Sequence, residues 1–437
     1  MKIIRSWSEA ENLSAAPADL GPAVLTVQST APLLNPTSTR SRRNLLNLSA
    51  LALSALLLVA CGGGDPTVPG SGSPVGAPTT KGTFTAVVSF GDSLSDVGAY
   101  APATSLAGNG TAPYFGGKFS TNSATGTIWV ENLATKIGVL VTPAEVGFNG
   151  LSVKCPAAGL GAPNSCTAYG QGGSRVTNVN GIGHDPLTGG GALTVPLTTQ
   201  IDNHLARFTS FKASDLILVY GGNNDVFVQF GVFANAAATI QAQALAGAIT
   251  ADQASLQLFA AQTTAQAGMK QAALELAGYV RSKILANGGK YVAVMTLGDI
   301  ADTPFGGSLP ANLRPVLTDL SQIFNLWLRD GLTGQPVAIV DTFAIFKGTA
   351  ANAAALGFVN TTVPACDAAI ISAITGGAVT DGSSLICNST PGAPFNALRA
   401  GASATTWFFA DSVHPTTGGH KAISDAFELK LKEIGWL

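Results

Sequence analysis

Four separated stretches of this chain hold residues able to handle a carbonyl. Ser93 lies in Phe90-Gly91-Asp92-Ser93-Leu94-Ser95-Asp96, just after the apolar, β-branched run Phe84-Thr85-Ala86-Val87-Val88-Ser89. Such a run predicts a buried strand and puts Ser93 at its carboxyl end, the edge where open α/β sheets keep ligand sites. A serine hydroxyl is a weak nucleophile until a base takes its proton. Asp411-Ser412-Val413-His414 offers that base: the Asp can orient the ring through one nitrogen and leave the other for Ser93. Two more stretches supply donors for a negative oxygen. The Asn224 amide in Gly222-Asn223-Asn224-Asp225 follows a second strand-like run, and the loop Tyr169-Gly170-Gln171-Gly172-Gly173-Ser174 can present a backbone N–H. With the Ser93 amide they would make an oxyanion hole of three donors. Asp92 and Asp225 are expected to brace loops. Singly, each piece is ordinary: Gly-Asp-Ser makes turns and Asn caps helices.

The elements that must carry these residues alternate in type. Strands are expected at 84–89, 215–220, 290–295 and 336–340. The Ala- and Gln-rich stretch from Asn235 to Leu285 has strong helix propensity with few breakers, and a further helix is expected from Leu313 to Arg329. Strands alternating with helices imply an α/β fold with a mostly parallel sheet covered on both faces. Residues 108–180 and 359–399 are rich in Gly, Pro, Asn and Thr and read as insertions or long loops, either shaping a substrate mouth or decorating the surface.

Gly91-Asp92-Ser93-Leu94 resembles the first block of the GDSL, or SGNH, hydrolases. Residues 169–174, 222–225 and 411–414 are similar to the second, third and fifth blocks, in the family's order. The strings 90–98 and 410–420, with Leu297-Gly298-Asp299-Ile300 and Thr303-Pro304, look most like esterase domains of bacterial exported and autotransporter proteins. The resemblance implies a three-layer α/β/α, flavodoxin-like fold with a central sheet of about five strands. It implies a serine esterase or lipase acting through an acyl-enzyme, with Ser93 as nucleophile, His414 as base and Asp411 orienting it. The implied oxyanion donors are the Ser93 amide, the Asn224 side chain and Gly172 or Gly173. Gly173 is preferred because it directly precedes Ser174. A lipid acyltransferase or phospholipase, and a carbohydrate deacetylase, are alternatives within the same chemistry; a non-enzymatic surface lipoprotein is a third. His184 and His204 fall outside these patterns, His420 lies in Gly418-Gly419-His420, and all three read as structural. No Gly-x-Ser-x-Gly elbow, His-Glu-x-x-His or Walker loop occurs, so neither cofactor nor metal is expected.

The rest of the sequence concerns where the domain works. Residues 1–60 read as leader and signal peptide: Arg40-Ser41-Arg42-Arg43 precedes an apolar run from Leu45 to Ala60, too short to span a bilayer comfortably. Leu58-Val59-Ala60-Cys61-Gly62 resembles a bacterial lipoprotein box, which implies lipidation of Cys61 and an outer-membrane lipoprotein. Residues 61–81 read as a flexible tether and 82–437 as the hydrolase domain. Cys155, Cys166, Cys366 and Cys387 remain, an even number that favours disulfides in an exported chain. Short separation favours Cys155–Cys166 and Cys366–Cys387 among three possible pairings. A net charge of −2 with 11% charged residues argues against a nucleic-acid partner. The expected partners are a small-molecule or lipid ester and, through the anchor, a membrane; a monomer is expected.

Overall fold

The computed structural model describes residues 72–104, 116–392 and 396–437. The leader and Cys61 lie outside the described residues. Strands are β1 (Ala86–Gly91), β2 (Thr142–Pro143), β3 (Glu145–Phe148), β4 (Leu151–Lys154), β5 (Cys166–Ala168), β6 (Asp215–Tyr220), β7 (Tyr291–Met295) and β8 (Ala338–Val340). The main helices are α1 (Trp129–Lys136), α2 (Leu197–Phe208), α3 (Asn223–Leu245), α4 (Ala251–Tyr279), α5 (Arg314–Gly331), α6 (Thr342–Ala351), α7 (Ala368–Ile374) and α8 (Thr417–Glu433). Single helical turns stand at Ala101–Thr104 and Pro304–Ser308.

Six strands form one parallel sheet in the order β2-β5-β1-β6-β7-β8, and β3 pairs with β4 as a separate antiparallel hairpin. The central strands are continuous apolar runs, as a parallel sheet covered by helices on both faces requires. Neighbouring positions along β1 and β6 show the two faces. Phe90 packs against Tyr169, His204 and Phe211 on the α2 side. Tyr220 instead meets Trp129 of α1 and Phe427 of α8. Helices α4 and α5 pack on one another, with the turn that follows α4 lying on Ile217, on the α2 side. This is the three-layer, flavodoxin-like architecture of the SGNH hydrolases, with six strands in the sheet rather than about five.

The extra strands come from 108–180, read above as loop. That stretch holds α1 and two sheet strands, β2 and β5, of two and three residues. The Ala- and Gln-rich stretch is two helices, not one. Gly247 takes a φ of 68°, and Thr250 starts α4 with a capping box to Gln253. Residues 359–399 build a small core of their own around Tyr100, Phe119, Ile371 and Leu385, closed by the Cys366–Cys387 disulfide. The second disulfide is Cys155–Cys166, so both favoured pairings are present. The last part of the stretch read as tether lies on the domain. Val75 N–H donates to Gln335 O, the Trp436 indole donates to Pro78 O, and the Tyr291 hydroxyl donates to Thr80 O.

His204 illustrates how the core is tuned to pH. It is 2% exposed, ringed by Phe90, Tyr169, Phe208 and Phe211, and neither ring nitrogen has a hydrogen-bond partner among the described residues. Burial first, then the charges of Arg207 and Lys212, push its pKa down to about 4. As pH falls from about 6.5, the unfolded chain takes this proton before the folded one, so stability is lost between about pH 6.5 and 4. His204→Phe should remove about 2–3 kcal/mol of that acid sensitivity. Urea denaturation of both proteins at pH 7.5 and pH 4.5 measures it; parallel losses of stability would refute this account.

Candidate active site

Gly91, Asp92 and Ser93 stand where β1 leaves the sheet. A Cβ on Gly91 would meet Tyr220 O at 2.4 Å, so the turn can leave between two strands only with glycine there. Asp92 caps the short helical turn Ser93–Ser95, accepting from Leu94 N–H, and its other oxygen accepts from the Asn223 side chain at 3.0 Å. Burial pushes the Asp92 pKa up to about 6 against these donors and the attraction of His414.

The structure brings Ser93, His414 and Asp411 into a continuous chain of hydrogen bonds. His414 Nε2 is 2.8 Å from Ser93 Oγ, and His414 Nδ1 is 2.8 Å from Asp411 Oδ2. A carboxylate only accepts, so Nδ1 carries the proton and Nε2 is left to accept from the serine hydroxyl. Asp411 also accepts from the backbone N–H groups of Val413, His414 and Ser384. Burial alone would raise its pKa, but His414 and these donors hold it well below the usual carboxylate range. Ser384 belongs to the 359–399 insertion, which thus reaches the site through Asp411. The Phe119 ring lies 4.8 Å from that of His414 and backs it.

Asn224 is the second residue of α3, which opens directly after Gly222, whose φ of 116° turns the chain from β6 into the helix. Its side-chain Nδ2 donates to Ser174 O at 2.9 Å, which leaves the second N–H of the amide. Arg175 Nε and Val176 N–H both donate to Asp225, so this carboxylate ties the glycine-rich loop to α3. The loop also pairs with the end of β1 through Tyr169 N–H to Ser89 O and Gln171 N–H to Gly91 O. Gly172 N–H is committed to Asp96 Oδ2 at 2.9 Å. The N–H groups of Ser93 and Gly173 donate to no group among the described residues. Of the two glycine N–H groups, that of Gly173 is the one without an acceptor among the described residues.

A cleft opens beside Ser93. Ser93, Asn223, Asn224 and His414 line one side, and Leu94, Ile182, Phe227, Ile300, Phe305, Phe346 and Val413 form an apolar wall. Asp299 also lines it, with its carboxylate held by Lys347, Thr318 and Ala301 N–H. Among the described residues, neither 108–180 nor 359–399 contributes to this lining. The three remaining histidines stay out of it. His184 Nδ1 sits at Ala192 O, His204 is in the core, and His420 faces Phe119 O with burial holding its pKa near 3.

Sequence reasoning passed over Asp96, Tyr100, Phe119 and Ser384, whose partners are distant in the chain, and most of the pocket wall. Asp96 is pushed up to about 7 by burial, although three backbone N–H groups donate to it.

A hydroxyl, an imidazole and a carboxylate in series, beside unpaired N–H donors and an apolar cleft, can carry acyl transfer. Comparison with curated proteins gives no match. A family model described as GDSL-like lipase/acylhydrolase matches residues 87–427, from the second residue of β1 into α8. The chain belongs to the GDSL-like lipase/acylhydrolase family and is a hydrolase of the lipase/esterase type.

Proposed function

We propose that this hydrolase cleaves carboxylic esters through an acyl-enzyme on Ser93. The observation that carries the reading is the unbroken series Asp411, His414, Ser93, with both links at 2.8 Å. Ser93 Oγ attacks the ester carbonyl carbon while His414 Nε2 takes the hydroxyl proton. Asp411 holds the ring in the tautomer this needs and stabilises the imidazolium that results. The tetrahedral oxyanion is met by the N–H groups of Ser93 and Gly173 and by the Asn224 amide. Collapse of the intermediate breaks the C–O bond, and the alcohol leaves with the proton from His414. A water molecule, deprotonated by the same imidazole, then releases the acid and restores Ser93.

The cleft supports uncharged esters with an apolar acyl group. Its apolar wall is built from aliphatic and aromatic side chains; among the described residues no Lys or Arg lines it, and the Asp299 carboxylate is paired with Lys347. Among the described residues, a phospholipid headgroup would meet no Lys or Arg in that lining. Two disulfides fit an oxidising compartment, which supports export. We propose accordingly that the domain is exported and held to a membrane by a lipid on Cys61.

The test is an acyl chain-length series of aryl esters on wild-type protein and Ser93→Ala, with labelling by a serine-directed phosphonate. Turnover and labelling should both vanish in the variant, and butyrate or longer chains should exceed acetate in kcat/KM. Wild-type rates in Ser93→Ala would end the proposal.

A further inference from the structure

We propose that Tyr100 is a positioning residue that fixes the Gly172–Gly173 peptide plane so that the Gly173 N–H meets the oxyanion; the inference rests on the ester-hydrolase reading above. The C=O of residue 172 and the N–H of residue 173 belong to one planar peptide unit, so holding the oxygen sets the direction of the N–H. Tyr100 Oη donates to Gly172 O at 2.8 Å. Thr194 N–H donates to Tyr100 Oη at 3.3 Å, which fills a lone pair and leaves the hydroxyl proton for Gly172. The residue is fully buried, and burial raises its pKa well above the ordinary value, so the hydroxyl stays a donor.

The peptide plane just before it, between Gln171 and Gly172, is held as well. Asp96 accepts the Gly172 N–H, and that carboxylate is itself held by the N–H groups of Gly98 and Ala99. The ring of Tyr100 lies edge-on to Phe119, whose own ring backs His414. A Cβ on Gly172 would meet the Phe119 ring at 2.2 Å and the Tyr100 ring at 3.1 Å, so only glycine lets the loop come this close. Gly173 takes a φ of 80°, and a Cβ there would strike Ile182 O at 2.0 Å. Such a two-glycine turn is conformationally permissive in isolation. Here Asp96 fixes its first N–H and Tyr100 its first C=O, and the next N–H along the chain has no acceptor among the described residues. A hydrogen bond to an amide oxygen also polarises that amide and strengthens its N–H as a donor. Both effects count most when negative charge has formed on the substrate oxygen.

Tyr100→Phe deletes one oxygen and keeps the ring packing. With a short-chain aryl ester, kcat should fall about tenfold or more while KM stays within about twofold, because the lost interaction serves the tetrahedral state. The inhibition constant of an alkyl boronic acid, which forms a tetrahedral adduct on the serine, should rise by the same factor. Wild-type kcat and boronate affinity in Tyr100→Phe would overturn the proposal, as would a lower melting temperature with both constants unchanged. A loss that falls on KM alone would overturn it too. The wild-type control separates this from the broader reading. A wild-type protein that neither turns over esters nor binds the boronate overturns the hydrolase mechanism and the clamp together. An active wild type matched by Tyr100→Phe overturns the clamp alone.

Discussion

Asp411→Asn should lower kcat by about 10⁴ while KM stays nearly unchanged. The reason is the number of donors aimed at this carboxylate. Oδ1 accepts from the backbone N–H groups of Val413 and His414, and Oδ2 accepts from Ser384 N–H and His414 Nδ1. An Asn has one oxygen to offer. If that oxygen keeps the two backbone donors at the Oδ1 position, the NH₂ faces Ser384 N–H and the imidazole. His414 then presents a lone pair on Nδ1 and carries its proton on Nε2, where it no longer accepts from Ser93. Steady-state kinetics with an aryl ester measure the loss. Adding Ser93→Ala to Asp411→Asn should then cost much less than Ser93→Ala costs alone, because the groups act as one unit. A loss under tenfold in Asp411→Asn would mean that the carboxylate does not set the tautomer.

Asn224→Ala should cost about 10²–10³ in kcat, again with little change in KM. The Asn224 amide is 5% exposed, lines the cleft, and has one N–H fixed on Ser174 O. That bond orients the amide and leaves the other N–H for a developing charge. The neighbouring Asn223→Ala is the control, because it breaks a bond to Asp92 rather than a proposed donor. Boronate affinity should fall in step with kcat for Asn224→Ala and change far less for Asn223→Ala. Equal effects in the two variants would reduce Asn224 to a structural brace.

What could be read from the sequence was whatever local pattern specifies. β1 and β6 are continuous apolar runs, and their carboxyl ends carry Ser93 and Asn224, so strand and chemistry lie within a few residues of each other. Asp411 and His414 share one turn, and their pairing follows from spacing. β2 and β5 could not be read that way, because strands of two and three residues show no periodicity. The break between α3 and α4 did leave a signal, since Thr250 and Gln253 stand at capping-box spacing. Strong Ala and Gln propensity on either side masked it. Asp96 and Tyr100 follow Ser93 closely in the chain, yet their partner Gly172 lies 76 and 72 residues away. Only tertiary contact gives them meaning. The pocket wall is scattered for the same reason, with Ile182, Phe227, Ile300, Phe346 and Val413 drawn from five places in the chain.

The strap formed by residues 73–80 fixes a direction. It is fastened to Tyr291 at the start of β7, to Gln335 just before β8, and to Trp436, all at the amino edge of the sheet. Ser93 sits past the opposite edge, about 20 Å away along the six residues of β1. Any pull on the amino-terminal chain is thus borne by the rear of the sheet, and the cleft points forward, away from whatever does the pulling. Were the chain held through its amino terminus, as proposed above, the cleft would open away from the anchor.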